Sequence, residues 1–137
     1  MKKFEKSQKK RDGNDPDNPV RIYVDGCYDL FHYGHAKQFA QAKAFYKHVH
    51  LIVGISPDEE IIRLKGPIVN NEKERVNNVK NCRYVDEVIM PCPWVITKEF
   101  IEDNDIDYVA HDDIPYESGN SDDIYSYIKS IGKFKAT

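Results

Sequence analysis

The sequence predicts an α/β fold, with a mostly parallel five-stranded sheet and helices on both faces. Three observations carry this prediction. From Val20 onward, short apolar runs alternate with longer stretches of helical spacing. Gly and Pro punctuate the joins, as at Gly66-Pro67, Pro91, Pro93 and Gly132. The 137 residues suit one domain with a proper core and are too few for two ordinary ones.

The first nineteen residues stand apart. Lys2, Lys3, Lys6, Lys9, Lys10 and Arg11 precede Asp12-Gly-Asn-Asp-Pro-Asp-Asn-Pro19, with too few apolar residues to fold. Residues 1–19 are therefore expected to form a disordered basic-then-acidic leader, and residues 20–137 the folded domain. Arg21–Asp25 is a short apolar run suited to a buried strand. Gly34–Tyr46 sets Phe39, Ala42 and Phe45 among Lys and Gln, as a helix with one apolar face does. His50–Ser56 is a second buried-type strand. Pro57–Lys65 predicts a short helix and loop, and Asn71–Asn81 a polar helix bearing Glu72, Glu74, Arg75 and Lys80. Asp86–Met90 is a third strand. Thr97 caps a helix running to about Asp103, with Glu99 in its first turn. Asp107–His111 is a fourth strand. Ser121–Ile131 is a helix capped by Ser121, with Asp122 and Asp123 at its positive end, and Lys133–Ala136 a last short strand. This βαβ order is a Rossmann-like arrangement.

Composition excludes several classes. The apolar fraction of 40% fits a globular protein, and a net charge of −3 gives no general reason to expect nucleic acid as a partner. The basic leader has the charge to attract an anionic surface, but reads first as solvated chain. Cys27, Cys82 and Cys92 are odd in number, form no CxxC pair, and read as reduced thiols of a cytoplasmic compartment. No apolar run approaches a membrane span.

The chemistry is concentrated in Asp25-Gly-Cys-Tyr-Asp-Leu-Phe-His-Tyr-Gly-His35, where the first strand hands over to the first helix. In an open parallel sheet that junction is the carboxyl edge, where phosphates bind. Three-residue spacing sets His32 and His35 on one helix face, and Gly34 allows close backbone approach. Two imidazoles beside free helix N–H groups can donate to phosphoryl oxygens; the alternative is a structural pair satisfied by local hydrogen bonds. A zinc site needs further ligands, and no Cys is suitably placed, so no metal residue is assigned.

The same run resembles the GxFDxxHxGH signature of the cytidylyltransferases, within the wider HxGH nucleotidyltransferases. The likeness continues through Leu51-Ile-Val-Gly-Ile55, Lys65-Gly66, Arg83-Tyr-Val-Asp-Glu87, Pro93-Trp94 and His111-Asp-Asp-Ile-Pro-Tyr116. In that order these resemble the catalytic domain of the choline-phosphate cytidylyltransferase family, from about Val20 to the end of the chain. The resemblance implies transfer of CMP from CTP to phosphocholine, giving CDP-choline and pyrophosphate for phosphatidylcholine synthesis. It implies His32, His35 and Lys65 as catalytic contacts to the phosphates. Gly26, Cys27, Tyr28, Gly34 and His111 are implied as nucleotide contacts. Mg²⁺ is expected to arrive with CTP. Trp94, Asp112, Tyr116 and Tyr125 are implied as the choline site, where a quaternary ammonium lacking N–H donors is held by aromatic faces and a carboxylate. Asp29 is expected to be structural, holding the turn by capping or orienting a histidine. Arg83 belongs to the family's dimer-interface segment, which implies a homodimer. The family pattern continues past Thr137 into an Arg-Thr-Glu-Gly-x-Ser-Thr segment, and in many members a membrane-sensing helix. A domain truncated at its C-terminal end is therefore expected, with membrane association only through regions absent from this chain. Two alternatives stand beside the main reading: phosphoethanolamine as acceptor, and a choline- or phosphocholine-binding fragment that does not turn over.

Overall fold

The computed structural model describes residues 11–111 and 125–137. In chain order its elements are β1 (Val20–Gly26), α1 (Tyr33–Lys43), β2 (Val49–Ile55), α2 (Asp58–Leu64), α3 (Glu72–Lys80), β3 (Glu87–Ile89), α4 (Lys98–Asp103), β4 (Tyr108–His111), α5 (Ser126–Ser130) and β5 (Phe134–Ala136). The sheet order is β3-β2-β1-β4-β5, and every neighbouring pair is parallel. The predicted sheet and its element order are thus present, with ends shifted by a few residues.

The strands are apolar because both sheet faces are covered. Ile22, Val24, Leu51, Val53 and Ile55 face one core with Phe39 and Ala42 of α1 and Val79 of α3. Tyr23, Ile52 and Val109 face the other with Ile101 of α4 and Ile128 of α5. Local chemistry fixes the helix starts. The Thr97 side chain accepts from the Phe100 N–H at 3.1 Å, and Asn71 caps α3 in a reciprocal box with Glu74. The expected start of the last helix at Ser121, with Asp122 and Asp123, lies outside the described residues.

One expectation is corrected. Residues 11–19 are not a solvated linker. The Arg11 guanidinium is paired with Asp105 and, at 3.1 Å, with Asp107, just before β4. The Gly13 carbonyl accepts from the His48 N–H at 3.0 Å, and a Cβ on Gly13 would stand 2.6 Å from the Cβ of Tyr46. Two carboxylates far away in sequence anchor a segment that its own composition cannot fold.

The chain builds β1, β2 and β3 outward in one direction, then returns to lay β4 and β5 on the other side of β1. The crevice between the carboxyl ends of β1 and β4 is therefore the switch point of the sheet, where ligands of open α/β folds bind.

Candidate active site

The loop after β1 is wound tightly. Tyr28 and Leu30 adopt φ of 54° and 49°, a left-handed backbone disfavoured by about 1–2 kcal/mol per residue. Contacts on both sides offset that cost. The buried Tyr28 ring packs on Phe39 at 5.2 Å and meets His35 edge-on at 5.4 Å. The Leu30 N–H donates to Asn70 Oδ1 at 3.0 Å, while the Asp29 carboxylate accepts from the Val69 and Asn70 N–H groups, both at 2.8 Å. These bonds hold the Asp29 carboxyl below its ordinary range. Asp29 therefore does not cap α1; its carboxylate ties one loop to another.

The cap of α1 is His32 itself. Its Nδ1 accepts from the Gly34 N–H at 2.9 Å, and His35 Nδ1 accepts from the His32 N–H at 3.2 Å. An imidazole nitrogen that accepts carries no proton, so each neutral ring bears its hydrogen on Nε2. The rings lie 4.1 Å apart, and Phe31 stacks on His35 at 5.3 Å. Burial first, and then the neighbouring His32, lower the His35 pKa, so that ring stays neutral at neutral pH. Gly34 is required by contact: a Cβ there would stand 2.7 Å from the His32 ring.

Two adjoining cavities open at the switch point. The larger, about 760 Å³, is walled by Gly26, Cys27, Gly34, His35, Lys65 and His111, with Tyr28 and Asp25 also lining it. His32 is exposed at the start of the helix beside it. The smaller, about 80 Å³, is enclosed by Asp25, Ser56, Lys65, Trp94, His111 and Tyr125. Tyr125 donates its hydroxyl to Asp25 Oδ1 at 2.7 Å and stacks on His111 at 4.7 Å. The Lys65 ammonium stands 5.7 Å from the Trp94 ring centroid. Trp94 and Tyr125, far apart in sequence, thus share one aromatic pocket. Asp112 and Tyr116 lie outside the described residues. Arg83 is remote from both cavities; it donates to the Tyr84 hydroxyl at 2.7 Å, beside edge strand β3.

Two residues were missed by sequence reasoning. Asp25, 8% exposed, is the floor shared by both cavities. Burial pushes its carboxyl up, while the Tyr125 bond and the nearby His111 and Lys65 pull it back. Its only sequence signal is a charge closing an apolar strand. Arg75, read from the sequence only as one charge of a polar helix, is fully buried. It donates to the carbonyls of Cys27 at 2.9 Å, Ser56 at 2.7 Å and Asn70 at 3.2 Å, and to Asp58 Oδ1 at 2.6 Å. It binds together the ends of β1 and β2, the start of α2 and the loop before α3. Two of the thiols are disfavoured as thiolates: burial pushes Cys92 up to about 12 and also raises Cys27. Among the described residues no three His, Cys, Asp or Glu side chains converge as a metal site.

A parallel sheet with a histidine-capped helix at its switch point, backed by a lysine and a buried carboxylate, is an arrangement suited to binding phosphate groups. The comparisons narrow the class. Residues 23–136 match the family described as Cytidylyltransferase-like, and the chain belongs to that family. It is 54% identical over 126 residues to the probable choline-phosphate cytidylyltransferase of Schizosaccharomyces pombe, covering 90% of this chain and 35% of that protein. It is 40% identical over 117 residues to the ethanolamine-phosphate cytidylyltransferase of Dictyostelium discoideum, covering 85% of this chain and 32% of that protein. The chain therefore spans about a third of the length of these curated relatives. A solved structure, the lipopolysaccharide core biosynthesis protein of Thermoplasma volcanium, shares the fold with a TM-score of 0.62 at 22% identity, covering 85% of this chain and 92% of that one.

Proposed function

We propose that this domain transfers CMP from CTP to phosphocholine, forming CDP-choline and releasing pyrophosphate. The observation that carries the reading is the pair of adjoining cavities, one edged by imidazole and helix N–H donors, the other by aromatic rings around a buried carboxylate. The higher identity to choline-named than to ethanolamine-named relatives supports the same acceptor. In this reading a phosphocholine oxygen attacks the α-phosphorus of CTP and the bond to pyrophosphate breaks. His32 and His35, with Nε2–H outward, donate to the phosphoryl oxygens on which charge develops. Lys65 follows the phosphates as a compact cation. Gly26, Cys27 and Tyr28 border the nucleotide cavity with backbone, and His111 stands between the two cavities. Trp94 and Tyr125 hold the quaternary ammonium, with Asp25 as its counter-charge, each good cation–π contact contributing about 0.5–2 kcal/mol. Asp112 and Tyr116 are proposed to complete that site. Mg²⁺ is proposed to travel with the triphosphate, held by phosphate and water oxygens, because the described side chains offer no cage.

A homodimer formed through the exposed Arg83 segment beside β3, and a cytoplasmic setting, are parts of the same proposal. The three cysteines are free thiols, and no described helix is long and apolar enough to cross a membrane. The test is pyrophosphate release by the intact protein with CTP, Mg²⁺ and either amino-alcohol phosphate. Phosphocholine is expected to be preferred by about tenfold or more, because a primary ammonium gains less from aromatic faces than from hydrogen-bond acceptors. Equal efficiency with both would remove the choline assignment.

The acceptor site also has an expected pH dependence. An ammonium is held by Asp25 only when the carboxyl is ionised, and burial holds that carboxyl above the ordinary aspartate value. Choline binding is thus lost on acidification at a higher pH than a free aspartate titrates. Tyr125→Phe removes the hydrogen bond that favours the ionised form. The variant is expected to lose choline at a higher pH still, read by calorimetry; an unmoved midpoint contradicts the role of Asp25.

A further inference from the structure

Lys65 belongs to both cavities at once. Its ammonium rests 5.7 Å from the Trp94 ring centroid, within range of an attractive cation–π contact. The same small cavity contains Asp25 and Tyr125, the other groups suited to a quaternary ammonium. One cation of the chain therefore stands where a substrate cation is to bind, and like charges a few ångströms apart in a small pocket repel. The backbone leaves the side chain room to move. Lys65 is the C-cap of α2, and Gly66 follows at φ 117°, a conformation only glycine adopts without strain, with no atom beyond its chain neighbours within 4 Å of where its Cβ would be. On its other side lies the open cavity with Gly34 and His35, where a polyphosphate would draw the ammonium away from the ring.

We propose that Lys65 is an exchangeable plug, held over Trp94 until a polyphosphate pulls it into the larger cavity and clears the aromatic pocket for a quaternary ammonium. This rests on the reading of the two cavities given above. The nucleotide then promotes binding of the alcohol through one side chain, without movement of the sheet. The coupling is a property of Lys65 and vanishes with its charge.

The experiment titrates choline into the intact protein and its Lys65→Gln variant, with and without inorganic tripolyphosphate, at constant ionic strength. Calorimetry measures the affinity, and the emission of Trp94, the single tryptophan of this chain, reports the pocket. Tripolyphosphate is expected to tighten choline binding to the wild type by about fivefold or more. Lys65→Gln is expected to bind choline more tightly than the wild type when tripolyphosphate is absent, and to gain little from adding it. Tripolyphosphate alone is expected to change Trp94 emission in the wild type and not in the variant. If Lys65→Gln binds choline no more tightly than the wild type and keeps the full gain, direct attraction between the two ligands explains the coupling and the plug is overturned, while the cavity assignment stands. If no form binds choline under any condition, the cavity assignment fails and the plug falls with it.

Discussion

Arg75→Met is expected to lower the unfolding free energy by about 3–5 kcal/mol, the usual consequence of removing one partner from a buried ionic network. The guanidinium is fully buried, and it makes four hydrogen bonds, to three backbone carbonyls and one carboxylate. Methionine fills much of the volume but leaves the Cys27 and Ser56 carbonyls without that donor, each orphaned group costing about 1–3 kcal/mol. Arg75→Lys keeps the charge and is still expected to lose most of the stability, because a single ammonium cannot span four oxygens held by four segments. Urea denaturation of the three proteins decides the matter. A Lys variant as stable as the wild type would show that charge alone, and not the planar fork, holds the loops.

His35→Ala is the second large effect, and it is of another kind. The variant is expected to keep its fold and to lower kcat/KM for CDP-choline formation by about 10²–10³-fold, as removal of one donor to a developing oxyanion does. His35 is partly exposed, so little packing is lost beyond its contacts with Phe31 and Tyr28. The pH profile separates its role from a merely structural one. Burial and His32 lower the His35 pKa from 6.5, so the neutral ring persists below the ordinary histidine range. When it finally protonates at Nδ1 it can no longer accept from the His32 N–H. Wild-type activity is therefore expected to hold as pH falls through the usual histidine value and to fail below it. Full turnover by His35→Ala would remove the imidazole from the chemistry.

Much of this architecture was legible because parallel strands covered on both faces leave a continuous apolar trace, as in Ile22-Tyr-Val24 and Leu51-Ile-Val53. Helix starts were legible where one side chain caps locally, as at Thr97. The histidine pair was legible as a spacing, but not its geometry: nothing in HxGH says that both Nδ1 atoms are spent on the backbone. Arg75 was illegible for a deeper reason. Helical periodicity assigns charge to the solvent face, and the reason to bury this one is a convergence of carbonyls from three loops, two of them nearly 20 or more residues away. Residues 11–19 were misread by the same blindness, since Asp105 and Asp107 are 94 and 96 residues from Arg11. Local composition reports what a segment can do alone, and both errors concern segments held by distant partners.

The Arg11 clasp has a practical consequence. It grips the chain beside Asp105 and Asp107, at the amino ends of the parallel strands, whereas both cavities open at their carboxyl ends. A seven-residue strand such as β1 separates those edges by about 20 Å. Cargo joined directly to Arg11, such as an affinity handle, a dye or a surface tether, is therefore attached at the back of the domain. The molecule can be immobilised by that end with both cavities facing the solvent.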